Sequence, residues 1–172
     1  MTRGLDHIGI TVPDIEQATL FFEQAFEARF VYDNIGTGDS PQEGSGIEHK
    51  LGLPAGSKVV RIRMLRIGNS AGIELFQFAH VDQQRPALAS DYGLQHAGFY
   101  VDDIHAAAAR FQEAGGELLS DPSLLSGSIE SGENNSFVYG RTPWGMVIEL
   151  ISYPSGIQYP KDSEAHRFTP EK

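Results

Sequence analysis

Residues 5–25 and 94–114 are two copies of one segment. LDHIGITVPDIEQATLFFEQA set above LQHAGFYVDDIHAAAARFQEA matches at nine positions, with a fixed offset of 89 and no gap. Leu5, His7, Gly9, Val12 and Asp14 recur as Leu94, His96, Gly98, Val101 and Asp103. Ile15, Ala18, Phe22 and Ala25 recur as Ile104, Ala107, Phe111 and Ala114. Unrelated segments of this length share one or two residues, so the chain is a duplication and each half must fold the same way.

Local physics is the same in both copies. His7 to Val12 and His96 to Val101 carry β-branched and aromatic residues that favour strands. Asp14 and Asp103 stand where an N-cap belongs, and the apolar spacing after them predicts helices at about 15–27 and 104–115. Gly115-Gly116 provides a stop for the second helix. Each copy ends in a matching strand, Ile73-Glu74-Leu75 and Ile148-Glu149-Leu150, after a glycine-containing turn. The expected architecture is α+β, a strand, a helix and several strands used twice. The first module runs over 4–92, with a glycine-rich loop inserted at 33–57, and the second over 93–154. A polar loop is expected at 120–136, and the tail at 155–172 should wrap the surface or reach a partner subunit.

Strand alternation turns the repeat into a candidate site. Successive side chains face opposite sides of a sheet. Ile8, Ile10 and Val12, with Ala97, Phe99 and Val101, belong under the helices, as do Ile73, Leu75, Ile148 and Leu150. His7, His96, Glu74 and Glu149 then face the other side, and glycines beside the histidines leave space there. Of six histidines, the repeat singles out only these two. A pseudo-twofold would bring all four side chains together. Two ionised carboxylates about 4 Å apart repel by about 4 kcal/mol at an effective dielectric near 20. A proton or a cation must relieve that. Two imidazoles and two carboxylates suit one divalent first-row metal, such as Zn, Ni, Co, Mn or Fe. An octahedral shell would leave two positions for water or a chelating substrate.

Composition excludes several alternatives. With no cysteine there is no thiolate nucleophile, disulfide, Cys-type zinc site or iron–sulfur cluster. A formal charge of −10 opposes nucleic-acid binding, which relies on Lys and Arg neutralising phosphates. No apolar run approaches the roughly 20 residues of a membrane span, and the first residues show no signal-peptide stretch, so the expected location is cytoplasmic. Phe76, Phe78 and Tyr100 share the face of the candidate ligands, either as an apolar pocket wall or as ordinary core. Arg61 and Arg63 share a face of a strand, either as a solvated outer surface or as a grip for a substrate carboxylate.

LDHIGITVPDIEQA, IELF at 73–76, LQHAGFYVDDI and TPWGMVIELI at 142–151, in this order, resemble the vicinal oxygen chelate superfamily over about residues 4–154. Its members include glyoxalase I, methylmalonyl-CoA epimerase, extradiol dioxygenases, fosfomycin-resistance proteins and bleomycin-binding proteins. The resemblance implies paired βαβββ modules in a curved open sheet around a metal, and a homodimer. The four-ligand set is most similar to glyoxalase I and the epimerase, and implies a metal-dependent lyase or isomerase acting on a small molecule with vicinal oxygens. By the same resemblance Glu149 is the first candidate for the base that moves a proton beside a chelated carbonyl, and Glu74 the second. Glu48 and His49 are epimerase-style alternatives. An extradiol-type dioxygenase and a non-catalytic small-molecule binding protein are the competing readings.

Overall fold

The structure, a computed structural model, describes residues 2–171. The described residues divide into two compact units, parting between Gln84 and Arg85, and each is built on the same plan. Lys172, the last residue of the expected tail, lies outside the described residues.

In the first unit β1 (His7–Thr11) leads into α1 (Ile15–Phe26), β2 (Arg29–Ile35), β3 (Gln42–Glu43), α2 (Ser45–Leu51), β4 (Lys58–Arg66) and β5 (Gly72–Ala79). The sheet runs β1-β5-β4-β2, with β3 beside β4. β1 and β5 are parallel and the remaining pairs antiparallel. The second unit repeats this with β6 (His96–Tyr100), α3 (Ile104–Glu113), β7 (Glu117–Leu118), β8 (Ser123–Leu124), α4 (Gly127–Glu130), β9 (Ser136–Arg141) and β10 (Val147–Ser152). Its order is β6-β10-β9-β7, with β8 beside β9. The fold is therefore α+β, two similar strand–helix–strands modules.

The repeated residues explain the repeated elements. Asp14 accepts from Gln17 N at 2.9 Å, and Asp103 accepts from His105 N at 2.9 Å and Ala106 N at 3.0 Å, so both helices start at the expected caps. α3 stops where Gly115 takes a φ of 99°, and α1 where Glu27 takes the left-handed conformation at 57°. Ile15, Ala18, Phe22 and Ala25 are buried in the first unit; Ile104, Ala107 and Phe111 are buried in the second. Ile73, Leu75, Ile148 and Leu150 are buried as alternation requires, and Phe111 is wholly enclosed. Gly140 makes that possible, because a Cβ there would stand 2.6 Å from the Phe111 ring.

Two expected loops carry more structure than the sequence announced. Segment 33–57 holds the end of β2, then β3 and α2. Ile47 and Leu53 pack against a cluster of Ile35, Val59 and Ile62 together with Phe76 and Phe78. Glycine content hid this element because α2 is flanked by Gly44 and Gly52, and tertiary packing rather than propensity holds it. Segment 120–136 likewise holds β8 and α4. The tail folds onto its own module. Gln158 N donates to Ile129 O at 2.8 Å, Asn135 Nδ2 donates to Glu130 O and Gly156 O at 2.9 Å each, and Arg167 pairs with Glu130 at 2.8 Å.

Candidate functional site

Register places the same residue types side by side in both units. In the β1–β5 pair Gly9 lies across from Glu74, and in the β6–β10 pair Gly98 lies across from Glu149. Each Glu is thereby on the face of the histidine two residues before the glycine. His7 Nε2 stands 3.3 Å from Glu74 Oε2, and His96 Nε2 stands 3.5 Å from Glu149 Oε2. The structure thus pairs the sequence-derived residues within each unit, His7 with Glu74 and His96 with Glu149. Among the described residues no group of three or more His, Asp or Glu is assembled around one point.

The two halves differ in how the imidazole is held. Nδ1 of His7 is 2.8 Å from Asp6 Oδ2. That hydrogen bond, opposed by desolvation and aided by the charges of Glu74 and Asp6, raises the His7 pKa above its ordinary value. Nδ1 of His96 is buried with no hydrogen-bond partner. Its ring instead meets the edge of Tyr139, with centroids 5.3 Å apart and planes at 81°. Tyr139 lies on β9 across from Glu149. Burial, and next the charge and hydrogen-bonding proximity of Glu149, push the Tyr139 hydroxyl up from its usual range. Neither Asp6 nor Tyr139 was singled out from the sequence. Tyr139 has no match in the other module, where Met64 stands across from Glu74.

In both units the imidazole Nε2 and a carboxylate oxygen face each other across a gap that a divalent ion could bridge. In one, Nδ1 is already tied to a carboxylate, the arrangement metal-bound histidines generally use. The donor set, nitrogen and oxygen without sulfur, fits a first-row divalent cation.

Other candidates are otherwise employed. Glu48 Oε1 accepts from Gly56 N at 2.7 Å and so closes the turn after α2, while His49 is exposed in the last turn of that helix. Phe76 and Phe78 stack at 5.8 Å inside the cluster covered by α2. Arg61 and Arg63 are neither a solvated face nor a free anion grip. Arg63 Nε and Nη2 donate to Asp33 at 2.7 and 3.0 Å, and Nη1 donates to Glu16 at 2.7 Å and to Thr19 at 3.0 Å. Arg61 adds a 2.9 Å bond to Glu16. A strand arginine beneath α1 must be paired, and Glu16 and Asp33 supply the charge. Among the described residues, no helix is long and apolar enough to cross a membrane.

The profile of the Glyoxalase/Bleomycin resistance protein/Dioxygenase superfamily matches residues 6–139, which include His7, Glu74, His96 and Tyr139. The chain belongs to this superfamily. One relative of this superfamily member is a 2-epi-5-epi-valiolone epimerase from Actinomyces sp., 34% identical over 170 residues, covering 98% of this chain and 89% of that protein. Among solved structures, a glyoxalase family protein from Bacillus cereus is similar with a TM-score of 0.64 at 24% identity, covering 86% of this chain and 92% of that one. A variant of the fosfomycin resistance protein FosX from Listeria monocytogenes, complexed with Mn(II), gives a TM-score of 0.54 at 19% identity, covering 88% and 93%. At these identities the two structures establish the glyoxalase-like fold. The relationship along nearly the whole chain is with an epimerase.

Proposed function

We propose that this superfamily member is a metal-dependent epimerase, with His7 and Glu74 of one module and His96 and Glu149 of the other as its ligands for a divalent cation. The observation that carries this reading is the recurrence of a facing His–Glu pair in each module of a chain whose relative along 98% of its length is an epimerase. The substrate class is a small molecule with a carbonyl and a neighbouring oxygen, of the kind the relative's name describes.

Bound there, the cation would supply Lewis acidity, offsetting the negative charge that builds on the substrate carbonyl oxygen as the adjacent proton leaves. The protein's own residues do the rest. Glu149 is the first candidate to accept that proton, and Glu74 the second; return of a proton to the opposite face inverts the centre. Glycines opposite both carboxylates keep the face open beside them. Neither removal nor return of a proton changes oxidation state, so no oxygen is required.

The test is deuterium incorporation. 2-epi-5-epi-valiolone and simple α-hydroxyketones, incubated with protein and Mn(II) in deuterated buffer under nitrogen, should gain deuterium beside the carbonyl. Oxygen uptake stoichiometric with product would replace this reading with the dioxygenase one. Binding without exchange in metal-loaded protein would replace it with a binding protein.

A further inference from the structure

The duplication makes the two His–Glu pairs alike in residues and unlike in support. In the first half, Asp6 holds Nδ1 of His7 at 2.8 Å. In the second half the residue before the histidine is Gln95, and Nδ1 of His96 is buried with no partner. A metal-binding histidine generally has its second nitrogen tied, which fixes the plane of the ring. His96 lacks that tie, so something else must fix it.

Tyr139 stands where that support is missing. It pairs in register with Glu149, so its side chain rises from the neighbouring strand on the same face of the sheet. Its ring packs edge-on against His96 at 5.3 Å, and Phe137 packs edge-on behind it at 5.8 Å and 77°. Aromatic rings prefer this geometry, and the contact restricts rotation of the imidazole. Tyr139 and Glu149 are direct cross-strand neighbours, so the hydroxyl and the carboxylate belong to one side of the sheet. In the first module the equivalent place is filled by Met64, across from Glu74, and a thioether can donate no hydrogen bond.

We infer that Tyr139 is the positioning residue of the second half-site, its ring bracing His96 and its hydroxyl holding the carboxylate of Glu149. The inference rests on the reading of these residues under the proposed function, and it makes the two halves inequivalent. His7 is oriented by a carboxylate and His96 by an aromatic edge. A hydrogen bond from that hydroxyl would fix the rotation of the Glu149 carboxylate, whose Oε2 stands 3.5 Å from Nε2 of His96.

Two variants separate the ring from the hydroxyl. Tyr139→Phe keeps the edge contact and removes the donor, while Tyr139→Leu removes both. In EDTA-treated protein, the Glu149 side-chain carboxyl carbon signal, assigned through Glu149→Gln, should shift in both variants. The His96 ring nitrogen signals should shift only in Tyr139→Leu. Met64→Leu, the matching change in the first module, should move neither. With Mn(II) as the probe, calorimetry should show affinity falling roughly 10- to 100-fold in Tyr139→Leu. An unmoved Glu149 signal in Tyr139→Phe, with a wild-type melting temperature, would overturn the hydroxyl's role. An unmoved His96 ring in Tyr139→Leu would overturn the brace. If the wild-type protein takes up no Mn(II) while the signals move as described, the four-ligand centre fails and Tyr139's hold on the pair stands.

Discussion

Gly98 lies opposite Glu149 in the parallel β6–β10 pair, and a Cβ built on it would stand 3.4 Å from Glu149 Oε2. The carboxylate therefore leans over the bare backbone of the neighbouring strand, toward the histidine two residues earlier. Alanine would touch it; a β-branched residue would push it aside. Gly98→Val should leave the fold intact, since valine favours strands and the position is exposed. Mn(II) affinity, measured by calorimetry, should fall at least tenfold, in the range about 10- to 100-fold seen when a ligand's support is lost. Unchanged affinity would mean that the open face is not where the ion binds.

The ion-pair network under α1 predicts an acid limit to stability. Hydrogen bonds from Arg63 are the main cause holding both Glu16 and Asp33 below the usual carboxylate range, with burial acting against them. A depressed folded-state pKa gives stabilisation that is complete above the unfolded value and lost as pH falls through the folded one. Stability should therefore decline below about pH 4, the ordinary carboxylate range. Asp33→Asn should flatten that decline and lower stability at pH 7 by about 1–3 kcal/mol, because Arg63 is left buried beside a neutral partner. Urea denaturation at pH 3.5 and 7 measures both.

Much of this was legible because the chain states its plan twice. Aligning His7 with His96 and Glu74 with Glu149 predicted which side chains share a face, and alternation predicted Leu75 and Leu150 in the core. Those are local rules, and the structure follows them. What was not legible depends on partners distant in sequence. α2 exists because Ile47 and Leu53 pack against Ile35, Val59 and Ile62, a contact that no glycine count foretells. Arg63 read as a surface or an anion grip because its partners, Glu16 and Asp33, come from another helix and another strand. Tyr139 escaped because duplication draws attention to matched residues, and Met64 stands at its place in the first module. The register of β9 against β10 would have pointed to it.

Enclosure of Phe111 beneath two glycines gives a stability test independent of function. The ring is wholly buried, and Cβ atoms at Gly116 and Gly140 would lie 2.3 and 2.6 Å from it. Phe111→Ala should cost about 3–5 kcal/mol. Gly140→Val should also destabilise, because that Cβ would meet Glu117 O at 2.9 Å as well, and backbone cannot yield as a side chain can. Thermal melts in EDTA check both, and a Gly140→Val protein as stable as wild type would refute the packing argument.

Metal dependence can be read without a substrate. A cation that binds only the folded chain should raise stability by about 2.7 kcal/mol at 100 times its dissociation constant. His7→Ala and His96→Ala should each abolish most of that gain, whereas His49→Ala, at an exposed position of α2, should keep it. Melting temperatures indifferent to both Mn(II) and EDTA would argue against a formed site.

The sharpest prediction concerns Glu149. If it accepts the proton, Glu149→Gln should lower turnover by about 100- to 10,000-fold, the usual contribution of a positioned general base. The amide oxygen can still coordinate, so Mn(II) binding and substrate KM should change far less than kcat. Glu74→Gln is the necessary comparison, because the same face-to-face geometry with a histidine exists in the first unit. For an epimerase that uses two carboxylates as its two bases, starting from a single diastereomer, one variant should lose inversion yet retain deuterium exchange, and the other should lose both. If Glu149→Gln leaves exchange intact and Glu74→Gln abolishes it, the proton leaves toward Glu74 and the order of the two carboxylates is reversed. Equal, modest losses in both, tracking Mn(II) affinity, would show that they serve only as ligands and that the base lies elsewhere.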